Sequence, residues 1–564
     1  MATVTSRLRA VTSVTRSRKT PHPQTVAHVP GLTRLPIRAV LVAICLAGGS
    51  ASCEPLAFDL VVYGATASGS IAAIAAAKEG VRVALVEPGQ HPGGMVSGGL
   101  SRTDMDRQDN VIGGLTRKFF ESLGHHYNKP IAWTFEPKVA ENQFRERLEQ
   151  AKVKTYFGSG LAGIAKNGAR ITRLRTENGI ELEAAVFIDS SYEGDLMKAA
   201  GVSYAVGREG RSRYGESLAG RQDFLPGSHQ FHFPVLSRGS DGQLLQGVIA
   251  QEKSGQLGEG DGKFQSYCFR LCLTNVPDNR LPIEPPPGYS ASRYQLVKNY
   301  LASGKGDLAL HDFMGLSPLP NGKADVNSNG PVSTDLLGAS WEYPDAGQAR
   351  RRQIWNEHLH WAQGLVYFLQ HDESVPPALR AEALNWGLPK DEFPETGHWP
   401  HQLYVREGRR MIGEYVMTQQ DLQENRRKYD SIGMGAYNID IREVQWVAHK
   451  VYRFPDASDE VFTEGYISVP VQPYEIPYRA LLPRQQECEN LLVTSCISAS
   501  TVAYGSFRME PQYMIAGHSA GVAAALAVRS RNLVHRIDLR ELQRCLREQG
   551  QILSLNEVQK VVTK

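Results

Sequence analysis

Cysteine is scarce in this sequence, with 7 residues in 564. Cys45 and Cys53 fall near the N-terminus, and the others, Cys268, Cys272, Cys488, Cys496 and Cys545, form no C-x-x-C pair. That spacing excludes an iron–sulfur cluster and a structural zinc site, so no metal is expected. In "SYCFRLCLT" strand alternation puts Cys268 and Cys272 on one face, about 13 Å apart and too far to bridge. Charge of one sign is also lacking. The formal net charge is +3, and the first 53 residues hold seven basic and no acidic side chains; removing those seven leaves −4 for the rest. A mildly acidic body has no electrostatic footprint for nucleic acid or an anionic membrane.

A membrane-length apolar run is missing too. "AVLVAICLAGG", Ala39–Gly49, is 11 residues long, where a span needs about 20. It follows a basic leader ending at Arg38 and precedes "SASC", the outline of an export signal over residues 1–53. No Arg-Arg pair precedes the run, and Ser50 stands where a lipobox before Cys53 prefers an aliphatic residue. The chain is expected to be exported, as a periplasmic, secreted or envelope-associated protein, by a route that stays open. The remaining length is too great for one small core and predicts more than one domain.

What is present begins with "FDLVVYGATASGSIAAIAAAKEGVRVALVEPG", Phe58–Gly89. It reads as buried strand, glycine turn, small-residue helix, second strand and carboxylate. Gly64 permits the sharp turn and Gly69 lets the helix approach the sheet. Ala65, Thr66, Ala67 and Ser68 fill the turn, whose free N–H groups face a pyrophosphate. Glu87, eighteen residues after Gly69, is placed to accept both hydroxyls of an adenosine ribose. Thr66 replaces the usual middle glycine and is expected to offer its hydroxyl to phosphate. The polar loop "PGQHPGGMVSGGLS", with Gly93, Gly94 and Met95, suits a chain lying along an extended FAD better than a plain nicotinamide site. A late strand, "ENLLVTSCISAS", and a helix, "MIAGHSAGVAAALAV", predicted to open near Gly517, would aim a positive helix end at a flavin.

These segments, with "HPGGMVSGGL", "FIDSSYEGDLMKAAGVSYAVGRE", "HQLYVREGRRMIGEYVMT", "DSIGMGAYNID" and "AYGSFRMEP", resemble the FAD-dependent oxidoreductase family that includes secreted, xanthan lyase-like members. The likeness spans about residues 58 to 530, and Thr66 is typical of that group. The resemblance implies an α/β fold: a Rossmann-like, glutathione-reductase-like FAD-binding domain with an inserted α+β substrate domain. The division expected is 58–203 and 471–530 for the FAD-binding parts, 204–470 for the insert and 531–564 for a helical tail. Some relatives carry an iron–sulfur cluster, for which this chain lacks the cysteines. By analogy with related flavoproteins, the strand end at Asp189 and Ser190 touches the cofactor, with Glu193-Gly194-Asp195 read alternatively as a helix start. His91 stands where some flavoproteins bond FAD covalently; spacing alone favours it, and releasable FAD is expected.

For substrate chemistry, "WPHQLYVREGRRMIGEY" gathers His401, Tyr404, Arg406, Arg409 and Arg410. Arginine forks grip carboxylates and sugar hydroxyls, and histidine moves protons; pairing with Glu407 and Glu414 is the structural alternative. Tyr437 and Asn438 are further candidates. The long helical stretch near Trp355, Leu359 and Tyr367 reads as core packing, with a sugar platform as the sharper alternative. The expected function is flavin-dependent oxidation of an unidentified small molecule or carbohydrate, with oxygen, a quinone or a carrier protein taking the electrons. A non-redox flavoenzyme such as a polysaccharide lyase, and a binding protein retaining a relic domain, are the competing classes.

Overall fold

The computed structural model describes residues 54–562 except Ser228 and Phe454. The run Ala39–Gly49, read above as an export signal, lies outside the described residues. Strand β1 (Leu60–Tyr63) leads through helix α1 (Ala67–Lys78) to β2 (Val83–Val86). Helices α2 (Gly114–His126) and α3 (Pro137–Gln150) follow, then β3 (Lys154–Tyr156) and β4 (Val186–Asp189). Far along the chain come α4 (Gln348–His371), β5 (Leu491–Val493), α5 (Thr501–Phe507) and α6 (Glu510–Ser530). The five strands form one parallel sheet in the order β5-β4-β1-β2-β3. Every residue of β1, β2, β4 and β5 is buried, which is why these strands, save for Asp189 at the end of β4, are continuous apolar runs rather than alternating ones.

The register fixes the site. Tyr63 pairs with Val86 on one side and Asp189 on the other, and Val493 pairs with Asp189. The turns that hold Gly64, Glu87, Ser190 and Thr494 therefore leave the same edge of the sheet, where ligands of open α/β sheets bind. A second sheet is made of Leu161–Asn167, Arg170–Thr176, Glu181–Glu183 and Leu56–Ala57, with Asn167-Gly168 and Asn178-Gly179 at its hairpin turns.

Between β4 and β5 lies a mixed α+β region. It contains an antiparallel sheet of Leu271–Thr274, Lys323–Ser328 and Met314–Leu319, and a long hairpin of Gln445–Arg453 with Asp456–Glu464. One hydrophobic cluster runs from Leu60 and Ile71 to Tyr294, Trp361 and Trp446, so the insert and the parallel sheet share a core. Trp355, Leu359 and Tyr367 of α4 are half-buried against that cluster, which favours core packing for them. Among the described residues, no helix is long and apolar enough to cross a membrane. The cysteines Cys268, Cys272, Cys488, Cys496 and Cys545 are unbridged and buried.

Candidate cofactor and substrate site

The glycine turn is held from both sides. Gly64 has φ +91°, and a Cβ there would lie 2.7 Å from the Ser191 nitrogen. A Cβ on Gly69 would lie 1.9 Å from the Gly64 carbonyl oxygen. No other residue type fits either position without moving backbone. Thr66 is the N-cap of α1: its Oγ1 accepts from Gly69 N at 3.2 Å and donates to Ser190 O at 2.8 Å. The expectation that this hydroxyl serves a phosphate is therefore corrected, since its proton is already given to Ser190. Ser68 is likewise turned inward, donating from Oγ to Tyr513 O at 2.7 Å and bonding Thr494. What the turn offers an anion is backbone. Ala65, Thr66 and Ala67 lead into the first turn of α1, where N–H groups have no intrahelical acceptor.

Glu87 closes the other end of the turn. Oε2 accepts from Ala65 N at 2.6 Å and Oε1 from Gly89 N at 2.7 Å. Each oxygen keeps a lone pair for a ribose hydroxyl. Burial pushes this carboxyl up to about 7, opposed by those two N–H groups. The following loop folds back on the turn, with Gly93 N donating to Ala65 O at 2.7 Å. Gly93 and Gly94 are required by protein neighbours: a Cβ would meet the Phe144 ring at 2.5 Å and the Tyr192 hydroxyl at 2.4 Å. Met95 N then donates to Tyr192 Oη at 2.9 Å.

Three further expectations change. Asp189 is fully buried, and its carboxylate accepts from Ser191 N, Ser191 Oγ and Met197 N. Its oxygens shape the bend after β4 and do not face the cleft. Ser190 Oγ is bonded to Thr494, so this residue offers the cleft only backbone. The alternative reading of the segment holds, since a short helix does start at Asp195 after Gly194. Finally, the C-terminal helix opens at Glu510, not near Gly517. Gly517 sits in its second turn, where a Cβ would come within 2.2 Å of Ser68 O; Gly521 meets Ala72 O at 2.3 Å in the same way. These glycines let α6 lie against α1 and do not approach a ligand.

The segment Trp399–Met411 does cover the cofactor loop. A Cβ on Gly98 would lie 2.4 Å from Gln402, and one on Gly99 would lie 2.2 Å from Arg270 O and 3.3 Å from Pro400. Its arginines, however, are consumed. Arg406 is 1% exposed and donates to Asp335 Oδ1 at 2.6 Å. Arg409 donates to Asp195 at 2.9 Å and Asp345 at 3.0 Å. Arg410 donates to Glu209 at 2.7 Å and also pairs with Glu407. A substrate-gripping role for Arg406 and Arg409 gives way to ion pairing: releasing Arg406 would strand buried Asp335, and Arg409 shares Asp195 with Arg351 and Asp345 with Lys198.

His401 stacks on His91 with ring centroids 4.0 Å apart and planes 14° from parallel. Burial pushes it down to about 3, too far from neutrality for a general acid or base. His91 Nδ1 lies 3.0 Å from Glu141 Oε1. Glu141 also takes Arg145 at 2.6 Å. The nitrogen and oxygen atoms of His91, Glu141 and His401 approach within ligand distance of one another. Near-parallel stacked rings nevertheless share no point in both planes, where a common ion would have to sit. The comparable group Glu136, Asp391 and Glu392 surrounds Lys323 Nζ at 2.6, 2.8 and 2.6 Å, so its cation is a lysine.

The sequence missed the polar cluster beside the covering segment. Arg508 donates to Tyr404 Oη at 3.0 Å and to Asp440 Oδ2 at 2.7 Å. Tyr437, already a candidate, has its hydroxyl held well above the usual phenol range by burial, with Asp440 and Asp104 adding to it. Asp104, Tyr437 and Asp440 are each half-buried. The cluster joins four segments far apart in the chain, so no local spacing announces it. The sequence also missed Tyr192 and Glu510, which join the loop at Met95 to the start of α6. Glu510 Oε2 is buried with no hydrogen-bond partner. The lone pairs that Glu87 keeps and the open start of α1 are what fit the ADP half of a dinucleotide.

The profile of the family described as FAD dependent oxidoreductase matches residues 59–546. No curated protein matches the sequence. Among solved structures, the chain is similar to a triple mutant of the flavin-dependent brominase Bmp2, at 11% identity over 87% of this chain and 84% of that one, with a TM-score of 0.33. It is similar to the anhydrotetracycline hydroxylase OxyS from Streptomyces rimosus at 14% identity over 48% of this chain and 44% of that one, with a TM-score of 0.24. For T. acidophilum thioredoxin reductase the figures are 18%, 24% and 34%, with a TM-score of 0.17. The chain thus spans less than half the length of the hydroxylase or the reductase. At these TM-scores the likenesses say nothing about chemistry.

Proposed function

The chain belongs to the FAD-dependent oxidoreductase family, and from that premise we propose that it oxidises a hydroxylated, carbohydrate-like substrate beside the segment Trp399–Tyr404. Bound FAD supplies the two-electron acceptor. In this reading the start of α1 and Glu87 hold its ADP half, through helix-end N–H groups and a ribose carboxylate. The observation that carries the substrate reading is the cluster of Tyr404, Arg508, Asp440, Tyr437 and Asp104; Tyr404 belongs to the segment whose Pro400 and Gln402 pack on Gly99 and Gly98. Two hydroxyls, one guanidinium and two carboxylates suit recognition of several hydroxyl groups on one small molecule. Oxidising an alcohol also requires a base for the hydroxyl proton. Asp104 takes that role here, because Asp440 is already paired with Arg508.

Anaerobic mixing of the yellow holoenzyme with sugars, sugar acids, polyols and hydroxy acids tests this. A productive substrate bleaches the flavin bands without any added oxidant, and Asp104→Asn slows that bleaching while FAD content is kept. If no polyhydroxylated compound reduces the flavin but a compound of another class does, the substrate class is wrong.

A further inference from the structure

The inserted region holds a separate cavity of about 650 Å³, bounded by the loop Leu336–Ala339, the start of the hairpin at Gln445 and Trp446, and helix α4. Its size is that of a small-molecule site. None of its lining residues belongs to the glycine turn or to the cluster around Arg508. The wall is mostly apolar, with Trp341, Trp361, Trp446, Leu336, Leu337 and Ile249. Gln246 and Gly247 are exposed, and Trp341, Leu336 and Ile249 are half-buried, so part of this wall is accessible.

Most polar groups of the wall are already engaged. Trp341, Trp361 and Trp446 donate their indole N–H to the backbone carbonyls of Phe264, Ser333 and Pro331, at 3.2, 2.9 and 2.8 Å. Gln445 donates to Ser254 O and Glu464 Oε2 and accepts from Lys263. The Glu357 carboxylate takes Arg350 at 3.2 Å. Arg293 is the exception. It is half-buried on the cavity wall, with Cζ 5.7 Å from the centre of the Trp361 ring. Its one side-chain hydrogen bond among the described residues runs from Nη2 to Glu357 O at 3.4 Å, and none of their carboxylates pairs with it. A guanidinium is a multiple donor, so most of this fork is left without an acceptor.

We propose that this cavity binds an apolar monocarboxylate, with the carboxylate on the Arg293 fork and the apolar body against the three indoles. A guanidinium matches a carboxylate in charge and in planar geometry. Half-burial makes that attraction stronger than it would be at an open surface. The contact with the Trp361 ring holds the cation at the wall. The same wall disfavours a polyhydroxylated occupant. With the indole and Gln445 groups engaged, sugar hydroxyls would leave water and find few partners. The site therefore differs in chemistry from the one proposed for the substrate, and it does not depend on that reading.

Calorimetry on the FAD-loaded enzyme tests this, with naphthoate, the neutral naphthamide and gluconate as probes. Naphthoate is expected to bind the wild type at least about tenfold more tightly than naphthamide, the worth of one charge-assisted contact. Arg293→Gln removes that preference and keeps the FAD content. Ala339→Phe, at a half-buried wall position, fills the cavity and abolishes naphthoate binding. Asp104→Asn, in the other cluster, leaves naphthoate binding unchanged. The proposal is overturned if naphthoate does not bind, or if Arg293→Gln still prefers it to the amide. It is equally overturned if Ala339→Phe binds naphthoate like the wild type, or if Asp104→Asn abolishes the binding, since either result places the probe elsewhere. Gluconate that binds the wild type and is excluded by Ala339→Phe would make this a polyhydroxyl site and overturn the ligand class.

Discussion

At the scale of single residues, charge pairing decides which side chains are free to act. Glu87 spends one lone pair of each oxygen on Ala65 and Gly89 and keeps the others. Glu87→Ala is expected to weaken FAD binding by about ten- to a hundredfold, the worth of one or two charge-assisted hydrogen bonds, read by titrating apoprotein with FAD. A variant that binds FAD as tightly as the wild type removes Glu87 from the site. Arg406 and Asp335 are both fully buried, so Arg406→Met alone strands a carboxylate and is expected to cost about 3–5 kcal/mol. Arg406→Met with Asp335→Leu should be the more stable protein of the two, by urea denaturation. If the double variant is the less stable, the ion pair is not the reason Arg406 is buried. This is also where sequence reading was weakest. The cluster "VREGRR" displays three arginines, and apart from Glu407, which pairs with Arg410 as the structural alternative allowed, the partners that neutralise them, Asp335, Asp195, Asp345 and Glu209, stand 64 to 214 residues away. Nothing local distinguishes a paired arginine from a free one.

Elements were more legible, and for a physical reason. A parallel strand buried on both faces must be apolar throughout, and a helix pressed against a sheet and another helix must have small side chains. Both demands are written locally, so β1, α1, β2 and β4 could be read directly from Phe58–Gly89 and Val186–Asp189. The start of α6 could not. "MIAGHSAG" predicts an opening near Gly517, but the helix begins seven residues earlier, with Met509 as its cap and Pro511 in the first turn. The glycine that looked like a helix start is a contact point. Gly517→Val places side-chain carbon where Ser68 O already lies within 2.2 Å of the Cβ, and overpacking of this kind costs about 1–3 kcal/mol. The apoprotein is expected to melt early while whatever remains folded binds FAD with an unaltered spectrum. A flavin spectrum that changes at unchanged apoprotein stability would return Gly517 to the cofactor site.

Over the whole molecule, buried carboxyls set the response to pH. Burial raises Asp189 to about 6, Glu87 and Glu392 to about 7 and Glu510 to about 8. Groups raised in this way contribute stability that is complete below their unfolded values, near 4. That contribution is lost as pH rises through 6 to 8. Asp195, Asp391 and Glu209 are instead held below the usual range by their cationic partners, and their contribution is lost as pH falls below about 4. The urea midpoint of the apoprotein is therefore expected to peak in mildly acidic buffer, near pH 5, and to decline toward pH 8, with Glu510→Gln flattening the upper part of the decline. A midpoint that rises across that interval contradicts the assignment. The sheet itself carries one further consequence, in time. β4 and its neighbour β5 are separated by about 300 residues, which a ribosome adding about 5–20 residues per second takes roughly 15–60 s to make. For that interval the growing chain displays an open strand edge and half of a binding cleft. That edge is covered only when β5 pairs with β4, and the sheet is the last thing to close although its first strands are made at the start.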